Sequence, residues 1–144
     1  MGSVRNLSEV TRALSRLATH GRRTARRAGR NIADAVADEE RDLLGMRRHP
    51  KGTPTPSAPG QPPAMVTGWL RDHIRVTGPT GGAEGYAISR VGPTAVYGRI
   101  HELGGVCGRG HRTHLPARPA LPLAWKLVRR RAGRIMRDAW DNES

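Results

Sequence analysis

The sequence predicts an α+β fold: a long N-terminal helix, a proline-rich arm, and a small antiparallel sheet packed by a C-terminal helix. Apolar residues recur every three or four positions from Leu7 to Leu44, the mark of one helix face. Alternation replaces that spacing at Ile74 and Val76 and again at Tyr86, Ile88 and Val91, as in half-buried strands. The helical spacing returns in Leu121, Trp125, Val128, Ala132, Ile135 and Ala139. Composition shifts place the boundaries: a long amphipathic helix over 1–46, a Pro/Gly-rich arm or linker over 47–66, and a compact α+β assembly domain over 67–144.

The first helix carries Leu7, Val10, Leu14, Leu17, Gly21, Ala25, Ala28, Ile32, Val36 and Leu43 along one stripe. From Gly21 to Ala28 the stripe is Gly and Ala. It permits a close neighbour but buries little area, at roughly 25 cal/mol per Å² removed from water, so this helix needs a partner surface. Arg22, Arg23, Arg26, Arg27 and Arg30 precede Asp34, Asp38, Glu39, Glu40 and Asp42. Bases before acids is the wrong order for the helix macrodipole, which implies that the charges answer to partners, with Arg30 and Asp34 also at i, i+4 spacing. Gly45 ends the helix.

From Arg47 to Ala64 the chain turns to Pro, Gly, Thr and Ser without apolar periodicity, which reads as a spacer or extended arm. Two strands follow, joined around Gly78-Pro79-Thr80-Gly81-Gly82. Gly92-Pro93 is a turn, after which Tyr97, Ile100 and Leu103 share one face of a short helix, with His101 and Glu102 facing away from it. Gly104-Gly105 terminates that helix. Residues 106–115 form a glycine- and histidine-rich loop with the makings of a hairpin arm. Pro116, Pro119 and Pro122 then hold the chain extended until one continuous amphipathic helix begins near Leu121, ringed by Arg129, Arg130, Arg131, Arg134 and Arg137, and this helix is expected to cross the sheet.

The 144 residues are one domain's worth of chain, and a 36% hydrophobic fraction with no Phe promises a small core completed by partners. The single cysteine, Cys107, excludes an intrachain disulfide framework. No apolar run of the sequence reaches the length of a membrane span or a signal-peptide centre, which suggests a soluble protein made in the cytosol. The formal net charge of +13 is carried by Arg far more than Lys. Arginine favours bidentate contacts to carboxylate or phosphate, and either acidic partners or nucleic acid would answer such a charge.

The most specific text is Tyr97, His101-Glu102-Leu103-Gly104-Gly105 and Pro116-Ala117-Arg118-Pro119-Ala120-Leu121, preceded by Thr67-Gly68-Trp69-Leu70-Arg71-Asp72-His73-Ile74. In order and spacing this resembles the tail-completion or neck proteins of tailed bacteriophages, including those called phage virion morphogenesis proteins, over roughly residues 67–140. Leu103 and Ala120 stand where those proteins usually carry phenylalanine, so the packing there is expected to be thinner or filled by Trp125. The resemblance implies a structural subunit without enzymatic activity, assembled in the host cytoplasm and located in the virion at the head-to-tail interface. Its partners would be copies of itself in a ring, hexamer or dodecamer, with other connector proteins and the tail terminator or tube proteins. DNA in the channel is a further contact. The resemblance also places Arg118 with Glu102.

Other chemistry is weaker on the residues. Cys107, His111 and His114, with His101 nearby, could serve zinc, but structural zinc sites bring paired ligands from separated knuckles, and these crowd one glycine-rich loop. Adjacent His101 and Glu102 point about 100° apart on a helix and do not make a facing acid–base pair. The sequence therefore calls for no cofactor, no metal and no catalytic residue. The alternative reading is a small basic nucleic-acid-binding protein that places Arg22, Arg23, Arg26, Arg27 and Arg30, with Arg129, Arg130, Arg131 and Arg134, on phosphates.

Overall fold

The structure is a computed structural model that describes residues 6–53, 57–81 and 86–143. The chain forms α1 (Leu7–Gly45), α2 (Trp69–Asp72), β1 (Ile74–Gly81), β2 (Ala87–Pro93), α3 (Gly98–Leu103), β3 (Gly105–Cys107), β4 (Thr113–Leu115), α4 (Leu121–Val128) and α5 (Ala132–Asp141), with a tight turn at Arg109–His111 between β3 and β4. β1 and β2 pair antiparallel, Ile74 opposite Pro93 and Gly81 opposite Ala87, with a bulge between Thr77 and Thr80. β3 and β4 make a separate short hairpin, Gly105 opposite Leu115. This is the α+β architecture that the changing periodicities imply. The turn residues 82–85 lie outside the described residues.

Helix α1 is the spine. Its inward residues are Thr24, Ala28, Ala33, Val36, Ala37, Glu40 and Leu44, and against them lie α4, α5 and both strands of the first hairpin. One core cluster joins Ala37 and Leu44 to Ile74 and Ala120; the other joins Val36 to Ala124 and Val128. Alanine supplies seven of the eleven buried hydrophobic residues among those described, so helices approach closely while each contact buries little apolar area. Arginines tie the hairpin to the helix. Arg26 donates to the carbonyls of Gly81 (2.5 Å) and Pro79 (3.2 Å), and Arg30 to that of Gly78 (3.1 Å).

The C-terminal helix is not continuous. α4 stops at Val128 and α5 starts at Ala132, with Arg129 to Arg131 as the corner. Both halves must reach α1: Ala124 and Val128 pack on Val36, and Ile135 joins the same cluster from the far side of the corner. A straight helix would carry its last turns off the spine. Arg131, at the corner, meets Glu39 of α1 at 3.4 Å.

The described parts of the arm, residues 47–53 and 57–66, do not trail as an extended spacer. Its ends are bridged, with Met65 N–H donating to the Arg47 carbonyl (2.7 Å) and His49 N–H to the Met65 carbonyl (3.1 Å), while Gly60 N–H reaches the Ala117 carbonyl (2.8 Å). The two described ends of the proline-rich stretch are thus bridged to each other, and its later part is held to the chain that leads into α4. Trp125 remains half-exposed and does not fill in beside Ala120, which is enclosed by Ala37, Leu44 and Ile74.

Candidate assembly site

Helix α3 and the Pro116–Leu121 segment, distant in sequence, are locked together. Glu102 accepts the backbone N–H groups of Ala120 (3.1 and 3.2 Å) and Leu121 (3.3 Å) with both carboxylate oxygens. Those amides open α4, where helix geometry leaves N–H groups without intrahelical partners and where a negative charge is favoured. One residue earlier, the His101 carbonyl accepts the Arg118 N–H at 2.7 Å. Arg118 then donates through Nε to the Ser57 carbonyl at 3.1 Å, which ties the proline-rich loop to the same junction.

The structure shows which side of α3 is inward. Gly98, His101 and Glu102, at i, i+3 and i+4, form its inward face, while Leu103 is 67% exposed and Tyr97 is also turned outward. Close packing at Gly98 sets this direction: a Cβ there would sit 2.7 Å from the Pro93 ring. Gly104 ends the helix with φ +69°, and a Cβ there would meet Ala117 N at 2.8 Å and the Leu115 carbonyl at 2.9 Å. The Gly104-Gly105 pair therefore stops α3 and also admits the returning strand. Arg118 does make a fixed polar contact, but its hydrogen-bond partner is Ser57 and not Glu102, whose oxygens are already committed to α4.

Beside the lock lies a cavity of about 260 Å³, lined by Leu44, Met65, Trp69, Leu70, Tyr97, His101 and Arg118 among others. The rings of Tyr97 and His101 meet edge to face at 5.7 Å. Burial, and then the nearby Arg118 guanidinium, holds the His101 pKa below its usual value. Burial raises that of Glu102, against the pull of its bonds to Ala120 and Leu121. Glu40 of α1 was not singled out for this region by sequence reasoning. It is fully buried, and its pKa is raised to about 7 by burial first and by Glu102 second, with Arg41 pulling the other way. Its position was legible: Val36, Ala37, Glu40 and Leu44 are i, i+1, i+4 and i+8 on the face that enters the core.

The arginines separate into two groups. Arg26 and Arg30 hold the β1–β2 hairpin, Arg27 pairs with Glu143 at 2.9 Å and donates to the Asn142 carbonyl, and Arg131 pairs with Glu39. The acids of α1 are answered largely within the chain, Asp34 by Arg30 and Asp38 by Arg41. Arg22, Arg23, Arg129, Arg130 and Arg134 are exposed, Arg22 reaching only Thr19. Cys107, His111 and His114 lie along the β3–β4 hairpin, and among the described residues no group of three or more His, Cys, Asp or Glu side chains is placed to hold a metal ion. No described helix is long and apolar enough to cross a membrane. No protein-family model, curated protein or solved structure matches this chain.

Proposed function

We propose that this chain is a non-enzymatic structural subunit of a tailed-bacteriophage neck, located in the virion where it completes the tail and joins it to the DNA-filled head as one member of a homo-oligomeric ring. The observation that carries the reading is the lock itself. The two stretches by which the sequence resembles neck proteins, His101 to Gly105 and Pro116 to Leu121, meet through Glu102 and the first amides of α4. Residues that recur together in such a pattern are accounted for by a shared junction, with no catalytic constellation required. An alanine-rich core and a long, partly uncovered helix are also what a subunit completed by its neighbours would carry.

Connector proteins above and terminator or tube proteins below are the partners this position implies, and the exposed Arg129, Arg130 and Arg134 are the groups available to acidic neighbours or to DNA in the channel. The test is native mass spectrometry with negative-stain imaging of the full chain at increasing concentration, alone and with candidate connector partners. Closed rings of six or twelve copies support the reading; a chain that stays monomeric with every such partner argues against it.

A further inference from the structure

The first turns of α1 leave the body of the protein. Leu7 (63% exposed), Val10 (52%), Leu14 (61%) and Leu17 (56%) face solvent, yet their 3-4-3 spacing is the a/d seam of a heptad, and it continues without a break into Gly21 and the buried Thr24 and Ala28. Further along, α5 covers the spine running antiparallel to it: Arg131 meets Glu39, Glu143 meets Arg27, and the rings of Trp140 and His20 meet at 4.2 Å. Among the described residues, nothing covers the apolar seam N-terminal of His20.

What would cover it is constrained. Apolar positions at a and d alone make the narrow stripe of a coiled-coil seam, not the wide apolar face of a membrane-surface helix. The flanking e and g positions are Asn6, Thr11, Ala13, Ala18 and His20, so no charged flank selects against an identical helix. Residues 6–20 carry Glu9, Arg12 and Arg16, a net +1, whereas the next ten residues carry five arginines and no acid. This is therefore a stretch of the basic spine where two copies can meet without setting arginine against arginine. Direction follows from the body. A parallel mate extending past residue 20 would run into α5, but an antiparallel mate runs the other way, into open space, and carries the two Arg22–Arg30 runs apart.

We propose that this uncovered part of α1 is a self-association surface, paired antiparallel with the same segment of a second copy so that Leu7 meets Leu17 and Val10 meets Leu14. A seam of this length is shorter than the three or four heptads of a sustained coiled coil, so the pair forms and separates with concentration. The contact goes beyond the ring reading: a two-fold pair closes at two copies and does not by itself build a ring.

The test is sedimentation of the full chain over roughly 1–200 μM. The wild type is expected to shift from monomer to dimer, Leu14→Glu to weaken association at least tenfold with unchanged thermal unfolding of the body, and Val96→Glu, at a fully exposed apolar residue elsewhere, to behave as wild type. In a Cys107→Ser background, mixing Val10→Cys with Leu14→Cys chains is expected to give a mixed disulfide in preference to either homodimer, because only antiparallel pairing sets these positions opposite each other. A wild type that stays monomeric, association unaffected by Leu14→Glu, or preferential disulfide linkage of Leu14→Cys chains to one another would each overturn the proposal. Rings that form although no Leu14-dependent dimer appears would remove this contact and leave the ring reading standing; dimers without rings under any condition would do the reverse.

Discussion

Replacing Glu40 by Gln changes one buried group and should change how stability depends on pH. Glu40 is fully buried, and its carboxylate oxygens have no hydrogen-bond partner among the described residues. Its pKa rises from 4.5 to about 7, first through burial, then through Glu102, with Arg41 opposing. The unfolded chain therefore releases this proton near pH 4.5 while the folded chain holds it until about pH 7. Between those values the unfolded state binds fewer protons, so stability falls as pH rises, and the loss is complete above pH 7. The cost to the wild type is about 2 kcal/mol at pH 6 and about 3 kcal/mol at pH 8. Glutamine has nearly the same shape and stays neutral throughout. Glu40→Gln should match the wild type within about half a kcal/mol at pH 4.5 and exceed it by about 3 kcal/mol at pH 8, or roughly 6–12 °C in Tm for a chain of this size. Denaturant unfolding of both proteins at pH 4.5, 6 and 8 reads the difference directly and cancels the shared titrating groups that do not interact with Glu40. A difference that stays flat across this range would refute the assignment of a buried, unpaired carboxyl at this position.

The junction makes further predictions. Glu102→Ala removes the acceptor for the opening amides of α4 and should cost about 1–2 kcal/mol, the usual value of a lost helix cap, read as faster amide exchange at Ala120 and Leu121; unchanged exchange at those amides would contradict the capping role. Arg118→Ala should free the proline-rich loop, so that proteolysis between residues 50 and 64 accelerates, whereas Arg109→Ala and Arg112→Ala in the exposed β3–β4 hairpin should not accelerate it. Equal cleavage in all of them would remove the Arg118–Ser57 tie. If DNA is contacted, Arg129→Glu with Arg130→Glu should flatten the salt dependence of duplex binding by about two phosphate contacts, while Arg27→Glu should act mainly through stability, because Arg27 holds Glu143. The opposite ranking would place the DNA contact on the Arg22–Arg30 run.

Much of this was legible before any coordinates. The spacing from Leu7 to Leu44 specified α1 to within a residue of its end, because a periodicity sustained over so many turns admits one regular structure. The alternation at Ile74 and Val76 specified the first hairpin, and Gly104 the end of α3. The corner at Arg129–Arg131 was not legible, since apolar spacing reports which residues face inward and is blind to a change of axis that keeps them inward. Which face of α3 turns inward was not legible, since the spacing groups Tyr97, Ile100 and Leu103 without saying which side packs; it is Gly98 that lets the helix seat on Pro93. The loop over residues 47–66 was read as an arm because proline content reports local stiffness. The tertiary bonds that fold it back involve the Arg47, Met65 and Ala117 backbone, which composition does not encode. Arg131 with Glu39 shows the same limit for charge: the order of bases and acids along α1 implied partners, and nothing in that order says that one of them is Arg131 at the far end of the same chain.

The central claim is that the chain joins heads to tails. If it does, its gene lies in the genome of a tailed particle, and the most direct test prepares that particle with this chain omitted, then counts joined and unjoined structures by electron microscopy before and after adding the purified protein. Full heads and complete tails that remain separate are the predicted result, with joining restored by the wild-type chain but much less by Arg118→Ala or Glu102→Ala. Tailed particles that form at the normal frequency without the chain would contradict it.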